Sequence, residues 1–270
     1  MSRSHLPHIA LLAAAAFVYS SSPARSQTLG AAENFAILGG SAVTAAVGAS
    51  PSRIAGDVGV SPGSSITGFP PAGGAIVLPP FTLHNPNDVA SIAAQAAVTA
   101  LFLNLSAAGG PATTIPDQLA AQNLSPGVYS LGAANLASGG VLTLTGNGLY
   151  VFRIASSLTA ISGSSISLVG AQACSIWWQV GSSATLNGAF AGNVIGLTGV
   201  NSMGPNATLE GRLLTTTPGS VTLAGDNIVN ASFCAIPVPT FPEWILLVLA
   251  ALLSLSGFIA IRRRQMMNAP

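Results

Sequence analysis

The sequence predicts a mainly β protein, a β-solenoid with one long α-helix packed alongside. Three observations favour this fold class. Apolar and polar residues alternate with a period of two in short segments such as 141–145. Similar segments recur about every 18 residues. A single uncharged, alanine-rich stretch at 89–108 interrupts this pattern and has the composition of a helix.

The repeat is clearest towards the end of the predicted domain. The segment that begins at Ser175 is followed 18 residues later by a similar segment at Asn193, and another begins at Gly211 after 18 more. Short strands at this period, with Gly and Asn between them, indicate coils that stack on one another. Six or seven coils at ~4.8 Å each would form a stack of roughly 30 Å. An antiparallel sandwich is the alternative.

The helix is predicted at about residues 87–108. The tract Asn85-Pro86-Asn87-Asp88 supplies a cap, a proline suited to the first turn and an acid, while Gly109-Gly110-Pro111 ends the helix. Its length of ~31 Å matches the expected stack, so we expect it to cover one solenoid face. Because it has no charge after Asp88, we expect burial on nearly all sides. The residues expected to allow close approach to a flat surface are Ala93, Ala96, Ala97 and Ala100.

Composition excludes nucleic-acid binding. The 270 residues include only 8 basic and 7 acidic side chains, and none of the basic ones is Lys. Between residues 27 and 235 the basic residues are only Arg53, Arg153 and Arg212, too few for a stripe that neutralises phosphates. The apolar content of 50% argues against disorder.

Residues 1–26 have the pattern of a secretory signal peptide. Arg3 precedes an apolar run at 9–18, and Ala24-Arg25-Ser26 provides a small-x-small cleavage site. The apolar run is too short for a transmembrane helix, which needs about 20 residues. We therefore expect an exported domain at residues 27–235.

The C-terminal segment, residues 236–270, predicts attachment to a membrane. An apolar run of 18 residues, 244–261, is followed by Arg262-Arg263-Arg264, which would stay cytoplasmic. The preceding tract 238–244 (VPTFPEW) resembles the C-terminal sorting signals of Gram-negative bacteria, although Phe241-Pro242 replaces the usual Leu-Ser. That resemblance implies removal of the tail by a sorting enzyme in the cell envelope. A plain membrane anchor is the alternative.

The two cysteines, Cys174 and Cys234, both lie in the predicted exported domain. In an oxidising compartment we expect them to form a disulfide bond. The bond would close a loop of about 60 residues and stabilise the fold by roughly 4 kcal/mol on the chain-entropy model. Two thiols are too few for a structural zinc site.

No catalytic, metal or cofactor site is predicted. His84 is the one histidine between residues 27 and 235, and no G-x-S-x-G motif is present. Asp57 and Asp88 fit turn and cap positions better than catalytic ones. The acids of the domain are widely spaced in the sequence: Glu33, Asp57, Asp88, Asp117, Glu210 and Asp226.

Several segments together resemble the bacterial ice-binding (antifreeze) protein family. They are residues 29–38, 54–63, 124–129, 151–158 and, most specifically, 171–186 (AQACSIWWQVGSSATL). The resemblance covers nearly the whole predicted domain. It implies a discontinuous, right-handed parallel β-solenoid of roughly triangular section with a long helix beside it. It also implies adsorption to ice rather than catalysis.

Adsorption to ice requires a flat, rigid and weakly charged face. Thr suits it because its methyl group excludes water, its hydroxyl holds ordered water and its χ1 angle is stiff. We take four leucines as inward: Leu158, Leu186, Leu197 and Leu223. Alternation then predicts these outward, ice-binding residues: Ser157, Thr159, Ser183, Thr185, Thr198, Val200 and Thr222. The tract Thr198-Gly199-Val200-Asn201 also resembles a T-G-x-N pattern on the ice-binding face of some members of the family. Ordinary exposed strand threonines are the alternative.

The predicted function is ice binding at the cell envelope or outer surface, by antifreeze activity, inhibition of ice recrystallisation or adhesion to ice. The expected partners are the ice surface, the membrane and a sorting enzyme. The alternative function is a structural or adhesive solenoid of the envelope that binds glycan or protein.

Overall fold

The computed structural model describes residues 27–108 and 110–231. Within them the chain winds through short parallel strands that stack into three ladders, which we name faces A, B and C. This arrangement confirms the predicted parallel β-solenoid and excludes the antiparallel sandwich. The predicted signal peptide at 1–26 and the C-terminal segment 236–270 lie outside the described residues.

Face A and face B are each a ladder of parallel strands. In stacking order, face A contains β4 (Asp57–Val60), β1 (Phe35–Gly39), the second halves of β19 (Thr208–Thr215) and β17 (Ala189–Gly196), β15 (Ile176–Val180), β12 (Tyr150–Ile154), β9 (Gly127–Leu131) and β7 (Thr113–Thr114). Face B contains β10 (Ala134–Leu136), β13 (Leu158–Ala160), β16 (Ala184–Leu186), β18 (Val200–Met203), β20 (Ser220–Leu223), β2 (Ala42–Ala45) and β5 (Ser65–Thr67).

Face C completes each coil. It contains β8 (Asn123–Leu124), β11 (Val141–Thr145), β14 (Ser165–Val169), the first halves of β17 and β19, β21 (Ile228–Asn230), β3 (Ser52–Ala55) and β6 (Ala75–Val77). Short 3-10 helices occupy Gly30–Ala32 and Ala173–Ser175. Because β17 and β19 run from face C to face A without a break, these two faces share one hydrogen-bonded sheet.

The stack is discontinuous in sequence. The N-terminal strand β1 pairs with β19, so that Ile37 lies opposite Leu213, and β2 pairs with β20 in the same way. The two N-terminal coils therefore extend the stack beyond its last coil. The chain then crosses to the opposite end, where the remaining coils begin. The discontinuity of the solenoid, which the family resemblance implies, is confirmed.

The interior of the solenoid is apolar and includes a stack of aromatic rings. Phe152 and Trp178 lie in adjacent coils with ring centroids 4.0 Å apart and planes 9° apart. Tyr129 stacks on the other side of Phe152, and Phe190 packs against Trp178. The Trp178 indole donates to the carbonyl oxygen of Ala191 at 2.9 Å, so its buried N–H is satisfied.

The helix α1 (Val89–Ala107) lies along face A, as expected, and its bounds fall within two residues of the prediction. Its 19 residues span about 28 Å, which matches the ~29 Å between the first and seventh strands of a parallel ladder. Among the described residues α1 is the one helix long and apolar enough to cross a membrane. Its inner side instead packs on face A, through residues that include Val98, Leu101 and Leu105.

The expectation that α1 is buried on nearly all sides is wrong. Ala93, Ala96 and Ala100 are exposed, as are Val89 and Leu103. Of the alanines predicted to approach the sheet, only Ala97 packs against the buried cluster. Alanines lie on both the buried and the exposed sides of the helix, so its composition alone could not identify the side that faces the sheet. The polar residues Ser91 and Gln95 are buried on the inner side of the helix. Contacts with the sheet therefore determine which side of the helix is buried.

Polar side chains fix the helix to face A at three points. Gln95 Nε2 donates to the carbonyl oxygen of Thr215 at 2.9 Å, and Gln179 Nε2 donates to that of Phe102 at 2.7 Å. Arg153 donates to the carbonyl oxygens of Leu105 and Ala108 at 3.0 and 2.6 Å. Arg153 therefore places a positive charge at the C-terminal end of the helix, where the helix dipole is negative.

Replacing Leu101 with Ala should lower the free energy of unfolding by about 2–5 kcal/mol, because Leu101 is buried between α1 and face A. Leu103 provides a matched control, since it is 66% exposed on the same helix. Leu103→Ala should change the stability by no more than about 0.5 kcal/mol. Urea unfolding of both variants checks the direction in which α1 faces. Equal losses would contradict the packing described here.

Asp88 caps the N-terminus of α1. Its Oδ1 accepts from the backbone amide of Ser91 at 2.7 Å, and its Oδ2 lies 2.7 Å from His84 Nδ1. Burial alone would raise the pKa of Asp88, but the hydrogen bonds from Ser91 and His84 hold that pKa below its usual value. The ionised carboxylate is therefore the form that stabilises the fold.

Asp88→Ala should cost about 1 kcal/mol of stability at neutral pH through loss of the cap. Because the folded-state pKa is depressed, this contribution is present above the unfolded-state pKa of about 3.9 and is lost as the pH falls through the folded-state pKa. The difference between wild type and variant should thus shrink below about pH 4. Denaturant unfolding at several pH values measures it. A difference that grows on acidification would overturn the capping role.

Candidate functional site

Face B presents one column of short polar side chains along its centre. Strand alternation buries residues such as Leu158, Leu186 and Val221 in the interior and turns the residues between them outward. The pairing registers of the seven strands align one outward residue from each strand. In stacking order this central column is Asn135, Thr159, Thr185, Ser202, Thr222, Thr44 and Thr67.

A second outward column lies two residues earlier on the same strands. Val200, Ser220, Ala42 and Ser65 are aligned by the pairing of β18, β20, β2 and β5. Ser157 and Ser183 directly precede β13 and β16 and continue this column. None of the side chains in the two columns carries a charge. The columns therefore have no charged group that would hold a liquid-like hydration layer on face B.

Six of the seven predicted site residues lie in these columns. Thr159, Thr185 and Thr222 belong to the central column, whereas Ser157, Ser183 and Val200 belong to the second. Thr198 is exposed, but it lies in the bend before β18 rather than on a strand. Leu197, which we expected to point inward, is 37% exposed in the same bend. The assumption of unbroken alternation failed there because β17 ends at Gly196.

Four residues of the central column escaped sequence reasoning: Asn135, Ser202, Thr44 and Thr67. Thr44 and Thr67 belong to the N-terminal coils, far in sequence from the repeats. The alternation in Ala42-Val43-Thr44-Ala45 carried a signal for an outward threonine, with Val43 buried and Thr44 exposed. That signal did not say which face the strand joins.

The run of threonines in the central column is interrupted at its middle strand, β18. Ser202 stands where its neighbours have Thr, and its Oγ lies 3.4 Å from both Thr185 Oγ1 and the carbonyl oxygen of Ala184. Thr44 Oγ1 likewise lies 3.4 Å from Thr67 Oγ1. These contacts are long for hydroxyl hydrogen bonds, so the hydroxyl groups keep capacity to bind water.

The other two faces are less suited to contact with a flat uncharged surface. Face A is covered by α1. Face C carries the exposed charged residues Arg53 and Glu210. It also has a step, because β14 pairs with β17 at Ser165 and Ala189 alone. A shallow cleft opens at this step beside Phe190.

Asp57, Asp88 and His84 have structural partners. Asp57 is the first residue of β4, not a turn residue as expected, and its Oδ1 accepts from the backbone amide of Thr82 in the next coil. Asp88 caps α1, as expected. His84 lies between these two carboxylates and stacks on Phe35. Within residues 27–108 and 110–231, no three His, Cys, Asp or Glu side chains are grouped so that they could hold a metal ion.

Arg212 is the most deeply buried charged residue described. Its Nη1 donates to Asn193 Oδ1 at 3.0 Å and its Nη2 donates to the carbonyl oxygen of Glu33 at 2.7 Å. Burial lowers the pKa of the guanidinium, while the carboxylate of Glu33 raises it. Arg212 therefore ties the first described turn of the chain to β19, which is a structural role.

Cys174 is buried at the corner between faces C and A, and no cysteine among the described residues is free. Cys234 lies outside the described residues, so its pairing with Cys174 stays a prediction.

Comparisons with known proteins identify the family of this chain. The family described as ice-binding-like matches residues 37–229. An ice-binding protein of Nostoc sp. (strain HG1) is 38% identical over 240 residues, which cover 83% of this chain and 82% of that protein.

Solved structures give the same result. The crystal structure of an ice-binding protein from an Antarctic biological consortium is 35% identical, with a TM-score of 0.69, and covers 78% of this chain and 93% of that one. The ice-binding protein of the Antarctic ascomycete Antarctomyces psychrotrophicus is also 35% identical, with a TM-score of 0.65 and coverage of 77% and 99%. Sequence and fold thus agree over nearly all the described residues, and the chain belongs to the ice-binding-like family.

Proposed function

We propose that this protein adsorbs to ice, and that face B is the surface that does so. The observation that carries the proposal is the central column of seven aligned, uncharged side chains, five of them Thr. Membership of the ice-binding-like family supports it independently.

The regular spacing of face B favours binding to a lattice. Adjacent parallel strands lie about 4.8 Å apart, and outward residues along one strand lie about 6.6 Å apart. The two columns therefore form a two-dimensional array of methyl and hydroxyl groups. Water molecules ordered by the hydroxyls can adopt an ice-like arrangement, while the methyl groups exclude disordered water between them.

Rigidity makes the array effective. Every Thr of the central column except Thr67 belongs to a strand that is paired on both sides, and Thr67 lies on the edge strand β5. The apolar residues that alternate with these threonines pack in the core. The side chains thus lose little further entropy on binding, and β-branched Thr has few rotamers to lose. Many weak contacts then act together, so that the affinity of the whole face exceeds that of any one contact.

Location at the cell surface belongs to the same proposal. A signal peptide at residues 1–26 would export the protein, and the apolar segment 244–261 with its Arg tail would hold it in the envelope, either as an anchor or until a sorting enzyme removes it. A disulfide between Cys174 and Cys234 fits an oxidising compartment. We propose that no catalytic reaction accompanies adsorption.

Thr185→Tyr should weaken inhibition of ice recrystallisation by roughly tenfold or more, because a bulky ring within the central column keeps the neighbouring side chains off the ice. Thr143→Tyr is the matched control, since Thr143 is a half-exposed strand residue on face C. Ice grain growth in the presence of the full chain, with circular dichroism to verify folding, measures both. Equal losses in the two variants would exclude face B as the adsorbing surface.

Thr44→Tyr should weaken activity in the same way, again relative to Thr143→Tyr. Thr44 reaches face B only because β2 stacks on β20. Direct imaging of fluorescently labelled protein on a single ice crystal measures adsorption. Wild-type coverage by the Thr44 variant would mean that the N-terminal coils do not contribute to the ice-binding surface.

A further inference from the structure

Asn201 does not lie on the surface of face B but occupies the interior of the corner beneath it. It follows Val200 on β18 and is 0% exposed, although the motif Thr198-Gly199-Val200-Asn201 had been associated with the surface. The neighbouring residues Val200 and Ser202 face outward. The amide of Asn201 is therefore separated from ice by its own strand.

The Asn201 side chain replaces one main-chain hydrogen bond of the face B ladder. In the preceding coils, the backbone amide of Ala134 donates to the carbonyl oxygen of Ser157, and the backbone amide of Leu158 donates to the carbonyl oxygen of Ser183. The equivalent amide in β16 is that of Ala184. It donates instead to Asn201 Oδ1 at 3.0 Å. Regular pairing of β16 with β18 begins only at Thr185 and Ser202.

The other half of the same amide binds the following coil. Asn201 Nδ2 donates to the carbonyl oxygen of Leu214 in β19 at 3.0 Å. One side chain thus joins three successive coils, at β16, β18 and β19. Both of its polar atoms are satisfied, as a buried amide requires.

The corner is built to accommodate this amide. A Cβ atom at Gly196 would lie 2.6 Å from Asn201 Oδ1 and 2.7 Å from its Nδ2. Any residue other than Gly at this position would displace the side chain. Gly196 does not have a positive φ angle, so the requirement for Gly comes from space rather than from backbone conformation.

We propose that Asn201 is a positioning residue for ice adsorption, which sets the height and spacing of Val200 and Ser202 relative to Ser183 and Thr185. This inference rests on the proposed function of face B. The hydrogen bond from Ala184 to Asn201 joins β16 to β18, the strand on which Ser202 replaces Thr in the central column. Without it, β18 would be free to shift relative to β16, and the two halves of the column would no longer form one plane.

Two variants of the full chain test the proposal. Asn201→Ala removes the amide, and Gly196→Ala displaces it while leaving every side chain of face B unchanged. Asn227→Ala is the matched control. Asn227 is also a buried corner asparagine, but it donates to Gly204 and accepts from the amide of Gly225.

The assay is run near 0 °C on variants whose folding has been verified. There, Asn201→Ala and Gly196→Ala should inhibit ice recrystallisation roughly tenfold or more weakly than wild type. Asn227→Ala should keep most of its activity even where thermal unfolding shows a similar loss of stability. Amide hydrogen exchange should also show faster exchange of Ala184 in the first two variants but not in the control.

The possible results separate the two proposals. If wild type does not affect ice growth, the proposed function fails and the role of Asn201 fails with it. If wild type is active but Asn201→Ala and Gly196→Ala match the Asn227→Ala control, only the positioning role is overturned. If one variant does not fold, the other decides the outcome by the same comparison.

Discussion

The structure depends on one parallel pairing, that of β1 with β19. It joins segments separated by about 175 residues, and Thr215 reinforces it by accepting from the amide of Gly40 at 2.9 Å in the interior. Through this pairing the two N-terminal coils complete the stack, and β2 joins face B. Without it the face would end at β20, and α1 would lie beside a shorter ladder. The cost of closing so long a loop is modest, because loop entropy grows only slowly with length.

The helix determines which face remains available for function. Its inner side buries the outward residues of face A, among them Trp177, Val151 and Leu214, which would otherwise form an exposed apolar surface. Its length of about 28 Å extends along most of the eight-strand ladder of face A. With face A covered and face C interrupted by charges and a step, face B is left as the exposed ladder whose aligned outward residues are uncharged.

Buried amides and one buried cation hold the corners of the solenoid. Asn193, Asn201 and Asn227 each bond to main-chain atoms of neighbouring coils, and Arg212 joins Asn193 to the first described turn. At these corners the backbone leaves the regular ladder, so its amides and carbonyls need other partners. Side chains supply them, and the coils keep a fixed relative position. A surface that must match a lattice depends on such fixed spacing as much as on the exposed residues.

The sequence by itself determined the period of the coils, the helix and its cap, and the outward direction of Thr159, Thr185 and Thr222, because alternation and capping are local properties of the chain. Tertiary structure alone decided the remainder. The inner side of α1 was set by contact with face A, since alanine-rich sequence offered no apolar stripe. Thr44 and Thr67 joined the column through stacking between distant coils, which no local pattern specifies. The hydrogen-bond partners of Asn201 were also decided by stacking, because the amide of Ala184 and the carbonyl of Leu214 belong to neighbouring coils.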